Sequence, residues 1–90
     1  MDDRTIARTQ ARMIRAAISD AGLGVGELWG EYRRSGGEVD ELEVDAYLHH
    51  ALHLVPRHRD SLARVTNRMV PGARVPCSRD LRPIDGMSET

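Results

Sequence analysis

The sequence has no phenylalanine, one tryptophan and two tyrosines in 90 residues. A core with so few aromatic side chains has to be filled by aliphatic ones, and a chain of this length supports one small, marginally stable domain. Lysine is also absent, so all 13 basic residues are arginine. This usage is typical of a GC-rich genome and does not by itself indicate a function.

Only one cysteine is present, Cys77, which excludes an internal disulfide and a zinc site built from clustered cysteines. No stretch approaches the ~18 consecutive apolar residues of a membrane span. The N-terminus, MDDRTIARTQ, has two acidic residues and lacks the apolar segment of a signal peptide. We therefore expect a reduced, soluble, cytoplasmic protein with no membrane partner.

Apolar residues recur at helical spacing in four segments, and no segment alternates as a strand would. The first segment runs from about Asp3 to Ala21, carries Gln10 among its inner-face positions, and is followed by two glycines that can end a helix. The second runs from about Gly26 to Arg34 and ends at the sequence SGG.

The third segment has the clearest helix start. Asp40 can cap the helix, Glu43 can complete a capping box, and Val39 and Val44 can form the hydrophobic staple before it. We expect the helix to extend toward Pro56, with a buried face formed by Val44, Tyr47, Leu48, Ala51 and Leu52.

Pro56 suits the first turn of a fourth helix, from about Pro56 to Val70, with Leu62, Val65 and Met69 on its inner face. The last eighteen residues show no apolar periodicity. The sequence therefore predicts an all-α fold, a small bundle of three or four short helices over residues 1–72, with a flexible tail over 73–90. Deleting that tail is expected to leave the fold intact.

All four histidines lie between His49 and His58. On the predicted third helix, His49, His50 and His53 face water, so solvated imidazoles near a helix C-terminus are the leading interpretation. Asp45, His49 and His53 also form an i, i+4, i+8 stripe, which makes a weak metal site the alternative. His58 is expected to be partly buried and bonded to backbone, with a pH-sensitive contact as the alternative.

Charge is distributed unevenly along the chain. Residues 27–45 carry seven acids against two arginines, a net charge of −5, whereas residues 57–82 carry seven arginines against two aspartates, a net charge of +5. Two arginine stripes are predicted on helix faces and could follow a phosphate backbone: Arg4, Arg8, Arg12 and Arg15, and then Arg57, Arg64 and Arg68. The overall net charge of −1 favours an ordinary solvated surface instead.

The segment AISDAGLGVGELWGEYR has the outline of a helix-turn-helix motif with Gly22 in the turn. Its second helix would display Glu27 and Glu31, which phosphates repel, and Ile18 stands where a small residue is usual. DNA binding through this motif is therefore a weaker alternative than binding through the arginine stripes.

Signatures of enzymes are absent from the sequence. The glycines at 22, 24 and 26 lack the ending of a phosphate-binding loop, and no Gly-x-Ser-x-Gly nucleophile motif is present. We expect no catalytic residues, no resident metal and no cofactor.

The segments LWGEYRRSGG, EVDAYLHHAL and RDSLARVTNRM resemble short helical proteins of high-GC, actinobacterial-type genomes. The resemblance spans roughly residues 22–76. It implies a small bacterial helical protein but no activity and no site residues.

A protein of this kind is best interpreted as a non-enzymatic interaction or regulatory module. The partner would be another protein or a second copy of the chain in a homodimer, because association would bury the surplus apolar arc of the first helix. Nucleic-acid binding through the arginine stripes is the second hypothesis, and a metal- or pH-responsive histidine site is the third.

Overall fold

The helices predicted from apolar spacing are all present in the computed structural model, which describes residues 2–81. They are α1 (Asp3–Asp20), α2 (Val25–Arg34), α3 (Glu41–Leu48) and α4 (Pro56–Met69), followed by a short α5 (Ser78–Leu81). No strand occurs within residues 2–81, which confirms the predicted all-α class. In that range no helix combines the length and the apolarity needed to span a bilayer.

Side chains complete the first turns of α1 and α3. The Asp2 carboxylate accepts a hydrogen bond from the backbone N–H of Thr5 at 2.8 Å, and this bond holds the pKa of Asp2 below its usual value. Asp40 accepts from the backbone N–H of Glu43 at 2.8 Å, and Glu43 accepts from that of Asp40 at 3.4 Å. The predicted capping box is therefore confirmed.

Helices α1, α2 and α3 end with the same backbone turn. One residue adopts a left-handed conformation, and the next N–H donates to a carbonyl five residues earlier, as in a Schellman motif. The left-handed residues are Gly22 (φ 73°), Gly36 (φ 97°) and His50 (φ 64°). The closing bonds are Leu23 to Ile18 at 2.8 Å, Gly37 to Tyr32 at 2.9 Å and Ala51 to Ala46 at 2.8 Å.

The end of α3 differs from the prediction. The turn at His50 ends the helix after Leu48, well before Pro56. Ala51 and Leu52, which the helical spacing placed on the buried face, are therefore exposed. That part of the prediction is wrong because the spacing of apolar residues continues past the turn, whereas the helix does not.

The core lies between the four longer helices. α1 packs against α3, α4 and α5, and α2 packs against α3 and α4. Each of these four helices contributes aliphatic side chains that are completely buried: Ile14, Leu28, Val44, Leu48 and Leu62. The predicted inner faces are confirmed for Val44, Tyr47, Leu48, Leu62 and Val65, while Met69 is partly buried.

The two aromatic residues of α2 hold the loop before α3. The buried Tyr32 hydroxyl accepts from the backbone N–H groups of Glu38 and Val39 at 3.2 and 3.1 Å. The Trp29 indole N–H donates to the Val39 carbonyl at 3.0 Å. A Cβ at Gly37 would lie 2.4 Å from the Tyr32 ring, so only glycine allows this close approach.

Arg59 is the most unusual residue of the core because it is charged and 0% exposed. A guanidinium has five N–H donors, and each has an acceptor here. Two donate to the Asp3 carboxylate at 2.7 and 3.0 Å. The other three donate to Gln10 at 2.7 Å, the Leu54 carbonyl at 2.7 Å and the Ser78 hydroxyl at 2.9 Å. Among residues 2–81, no buried side-chain polar atom lacks a partner.

The segment after α4 is packed, which corrects the predicted boundary at residue 72. Val75 and Ser78 are buried. The Val75 backbone N–H donates to the Asn67 side-chain oxygen at 2.7 Å, and the Asn67 side-chain NH₂ donates to the Val75 carbonyl at 2.9 Å. The Asp60 carboxylate accepts from the N–H and hydroxyl of Ser78 at 2.7 and 2.8 Å. Polar contacts fix this segment, so apolar periodicity could not reveal it. The rest of the predicted tail, 82–90, lies outside the described residues.

Replacing Arg59 with methionine should destabilise the protein by about 3–5 kcal/mol, because the change leaves buried acceptors without their donor. Urea unfolding followed by circular dichroism measures this effect. Arg64→Met is the matched control on the exposed face of α4 and should change the free energy of unfolding by less than about 0.5 kcal/mol. Equal stability of the two variants would contradict the central role of Arg59.

A chain ending at Gly72 should be less stable by about 1–3 kcal/mol than a chain ending at Leu81. It loses the burial of Val75 and the bonds of Ser78, although water can replace part of the latter. Thermal unfolding of the two truncated chains tests this, since the longer one keeps every contact described above. Identical midpoints would restore the boundary predicted from the sequence.

Candidate functional site

The four arginines of α1 form one exposed row. Arg4, Arg8, Arg12 and Arg15 are all exposed, and none makes an ion pair or side-chain hydrogen bond with a described residue. At 1.5 Å of rise per residue the row is about 16 Å long. This α1 arginine row is the stripe predicted from the sequence, and it has no partner among residues 2–81.

The predicted stripe of α4 behaves differently, because its arginines contact other parts of the fold. Arg57 lies 4.0 Å from a Glu38 carboxylate oxygen, and Arg64 Nη1 lies 3.9 Å from the Cys77 sulfur. Arg68 donates to the Ser35 hydroxyl at 2.6 Å. Arg57 and Arg64 line a groove against the α2–α3 loop, whereas the α1 row lines two others.

Three histidines lie beside the α1 arginine row. His50 and His53 line one groove with Arg4 and Arg8. His49 lines a second groove with Arg12 and Arg15. The predicted exposure of the three histidines is confirmed, but sequence reasoning treated the histidines and arginines as separate clusters. Only the packing of α1 on α3 brings them together.

The second groove, which we call the apolar groove, lies between the C-terminal half of α1 and the start of α2. Its volume is about 530 Å³. Ile18, Leu23 and Val25 contribute apolar surface, and Leu23 and Val25 remain partly exposed. Arg12 and Arg15 stand at its edge, so the groove combines apolar area with positive charge.

The first groove, which we call the histidine groove, has a volume of about 230 Å³. Arg4, Arg8, His50 and His53 bring four nitrogen-bearing side chains to it, and Tyr47 forms part of the wall. The Tyr47 hydroxyl is turned inward and donates to the Ala7 carbonyl at 2.8 Å. Burial raises the pKa of that hydroxyl well above its ordinary value.

His50 reaches the histidine groove from a left-handed backbone position. A left-handed conformation costs an L-residue roughly 1–2 kcal/mol, although histidine tolerates it better than most residues. Glycine occupies the equivalent positions at the ends of α1 and α2. The end of α3 therefore has a histidine side chain at the position where the ends of α1 and α2 have glycine.

The proposed metal stripe is not formed. Because α3 ends at Leu48, His53 does not continue the helical line from Asp45 and His49. His49 Nδ1 lies 3.4 Å from an Asp45 carboxylate oxygen, whereas His53 Nε2 lies 3.3 Å from Asp3. Within residues 2–81 no three His, Cys, Asp or Glu side chains are grouped as a metal site would require.

His58 is partly buried, as predicted, and lines the groove between α4 and the α2–α3 loop. The expected bond from its imidazole to backbone is not present among the described residues. Nothing in its surroundings indicates a ligand.

The structure does not favour the helix-turn-helix interpretation. Glu27 is exposed at the start of α2, where it accepts from the Gly24 backbone N–H at 2.9 Å. Glu31 pairs with Arg34 on the same helix. The helix that would read DNA therefore presents carboxylates, which phosphates repel.

Comparison with known proteins identifies no relative: no family model matches the chain, and neither a curated protein nor a solved structure is significantly similar to it. The function has to be inferred from the residues of the site.

Tyr47 should make the protein less stable in strongly alkaline solution. Its raised pKa means that the folded chain keeps the phenolic proton to higher pH than the unfolded chain does. The free energy of unfolding should therefore fall as pH rises past the ordinary tyrosine value of about 10, and not below it. Urea unfolding at a series of pH values measures this slope.

Tyr47→Phe should reduce the alkaline loss while lowering stability at neutral pH by about 1 kcal/mol, the net value of one hydrogen bond. An alkaline loss of the same size in Tyr47→Phe would assign the effect to other groups.

Proposed function

We propose that this chain is a small non-enzymatic protein-interaction module, and that its apolar groove binds an acidic, amphipathic segment of a partner protein. The observation that carries the proposal is the juxtaposition of Arg12 and Arg15, which have no partner in the described part of the chain, with the partly exposed Leu23 and Val25. A partner segment could bury the exposed apolar surface of this groove and pair its own carboxylates with the two arginines.

The apolar part supports binding energy. Completely burying a leucine or valine side chain contributes about 1.5–3 kcal/mol, and covering the part of Leu23 and Val25 that is still exposed contributes a fraction of that for each. An amphipathic helix presents apolar side chains at i, i+3, i+4 and i+7 and is a common occupant of such grooves. The groove volume of about 530 Å³ accommodates a few side chains of that kind.

The charged part supports selectivity for an acidic partner. A guanidinium can bind a carboxylate through two parallel hydrogen bonds. Arg12 and Arg15 form no ion pair within residues 2–81 that would have to break first. Gly24 and Val25 also place the N-terminus of α2 at this groove, but Glu27 already accepts from the Gly24 N–H, so the preference for carboxylates rests on the two arginines.

Nucleic-acid binding is the second candidate, supported by the length and freedom of the α1 arginine row. Four arginines with no ion pair to another described residue, along about 16 Å, could contact roughly four phosphates. Each contact would add about −0.9 to the slope of log affinity against log salt. The apolar groove has no role in that mode. We therefore rank it below binding of a protein segment.

The test uses a fluorescent amphipathic peptide of about 18 residues, long enough to form a helix, with leucines on one face and glutamates on the other. Fluorescence anisotropy with the full chain should show saturable binding. Arg12→Gln/Arg15→Gln should weaken it about tenfold or more, because two bidentate contacts are lost. Arg4→Gln/Arg8→Gln is the matched control with the same loss of charge and should have a much smaller effect.

Two further probes separate the hypotheses. A peptide with the same glutamates but alanines in place of leucines should bind about tenfold more weakly. Equal binding of both peptides, or equal losses in both double variants, would contradict the apolar groove as the site. Tighter binding to duplex DNA, lost in both variants and steep in salt, would favour the second candidate.

A further inference from the structure

We propose that the histidine groove binds the phosphate group of a small phosphorylated molecule. The groove is separate from the apolar groove and is lined by a different pair of arginines, Arg4 and Arg8. The proposal therefore stands independently of the partner peptide suggested above.

The nitrogen-bearing side chains define the charge of the ligand. Arg4 and Arg8 have no partner among the described residues, and His50 and His53 add imidazole nitrogens that can donate hydrogen bonds. None of the described residues that line the groove carries a carboxylate. Asp3, which lies 3.3 Å from His53, already accepts two hydrogen bonds from the buried Arg59.

A phosphate monoester fits this donor set better than a carboxylate does. It carries about −1.5 to −2 charges at pH 7 and three strong acceptor oxygens, enough to engage two guanidinium groups and the imidazoles together. A single carboxylate carries one charge and is satisfied by one guanidinium fork. The second arginine would then remain without a partner.

The volume limits the rest of the ligand. At about 230 Å³ the groove is smaller than the roughly 300–1,000 Å³ of sites for drug-sized ligands. It therefore suits a phosphate with a few carbon atoms and not a nucleotide. Ala7, Ala51 and the half-exposed Leu52 provide the apolar wall against which those carbons would lie.

The backbone at His50 gives an independent indication. Two equivalent helix ends in this chain use glycine, and the third holds a histidine in the left-handed region. Strained backbone positions of this sort occur preferentially at functional sites. Here the residue in the strained conformation is His50, and its side chain lines the groove.

The experiment is a ¹H–¹⁵N NMR titration of the full chain with inorganic phosphate and with glycerol 3-phosphate, at constant ionic strength. Acetate is the control for a singly charged carboxylate. Both phosphates should produce saturable shifts centred on Ala7, Tyr47 and His50–His53. Glycerol 3-phosphate should bind at least as tightly as inorganic phosphate because its carbons contact the apolar wall.

Matched variants assign the effect to the groove. Arg4→Gln/Arg8→Gln should weaken glycerol 3-phosphate binding at least tenfold, whereas Arg12→Gln/Arg15→Gln should change it less than twofold. This is the reverse of the pattern expected for the acidic peptide, so the two proposals can fail separately. His50→Gly should weaken binding severalfold while the thermal unfolding midpoint stays the same or rises, which a purely structural role for His50 would not produce.

Several outcomes would overturn the proposal. These are shifts that do not saturate, shifts that acetate reproduces, equal losses in the two double variants, or exclusion of glycerol 3-phosphate by a groove that accepts inorganic phosphate.

Discussion

The buried guanidinium of Arg59 is the constraint on which the rest of the structure depends. An arginine with no solvent exposure is tolerated only when its charge and all its donors are satisfied, and here the acceptors come from α1, the α3–α4 connection and α5. Hydrogen bonds are directional, so this set of contacts fixes both the position and the rotation of α1 on α4. The aliphatic core alone would fix the helix orientations less strictly, since apolar contacts tolerate many arrangements.

The rotation of α1 determines the character of the protein surface. Because Asp3 and Gln10 turn inward toward Arg59, the α1 arginine row turns outward, beside the residues that follow α3. The left-handed turn at His50 then brings histidines to the same side. A chain with a net charge of −1 thus carries one markedly basic face, while seven of its 14 acidic residues lie in α2, α3 and the loop between them.

The basic face has two parts, which differ in the side chains next to the arginines. Toward the C-terminal end of α1, the arginines adjoin apolar side chains and the start of α2, a setting that suits an amphipathic acidic segment. Toward the N-terminal end they adjoin imidazoles and a smaller hollow, a setting that suits a compact anion. One helix therefore supports two proposals that differ in ligand size and in how much apolar area the ligand must bury.

Local physics made much of the fold predictable from the sequence. The capping box at Asp40 and Glu43, Pro56 in the first turn of α4, and the inner faces of the helices all depend on residues a few positions apart. Each agrees with the structure except at Ala51 and Leu52, beyond the end of α3. The exposed α1 arginine row was also predictable from its spacing. Tertiary structure alone decided the burial of Arg59, the packing of residues 73–81 and the meeting of the histidines with the arginines. Each of these depends on partners up to 68 residues away or on a turn that overrides the apolar spacing. No local pattern encodes which distant acceptor a polar side chain will find.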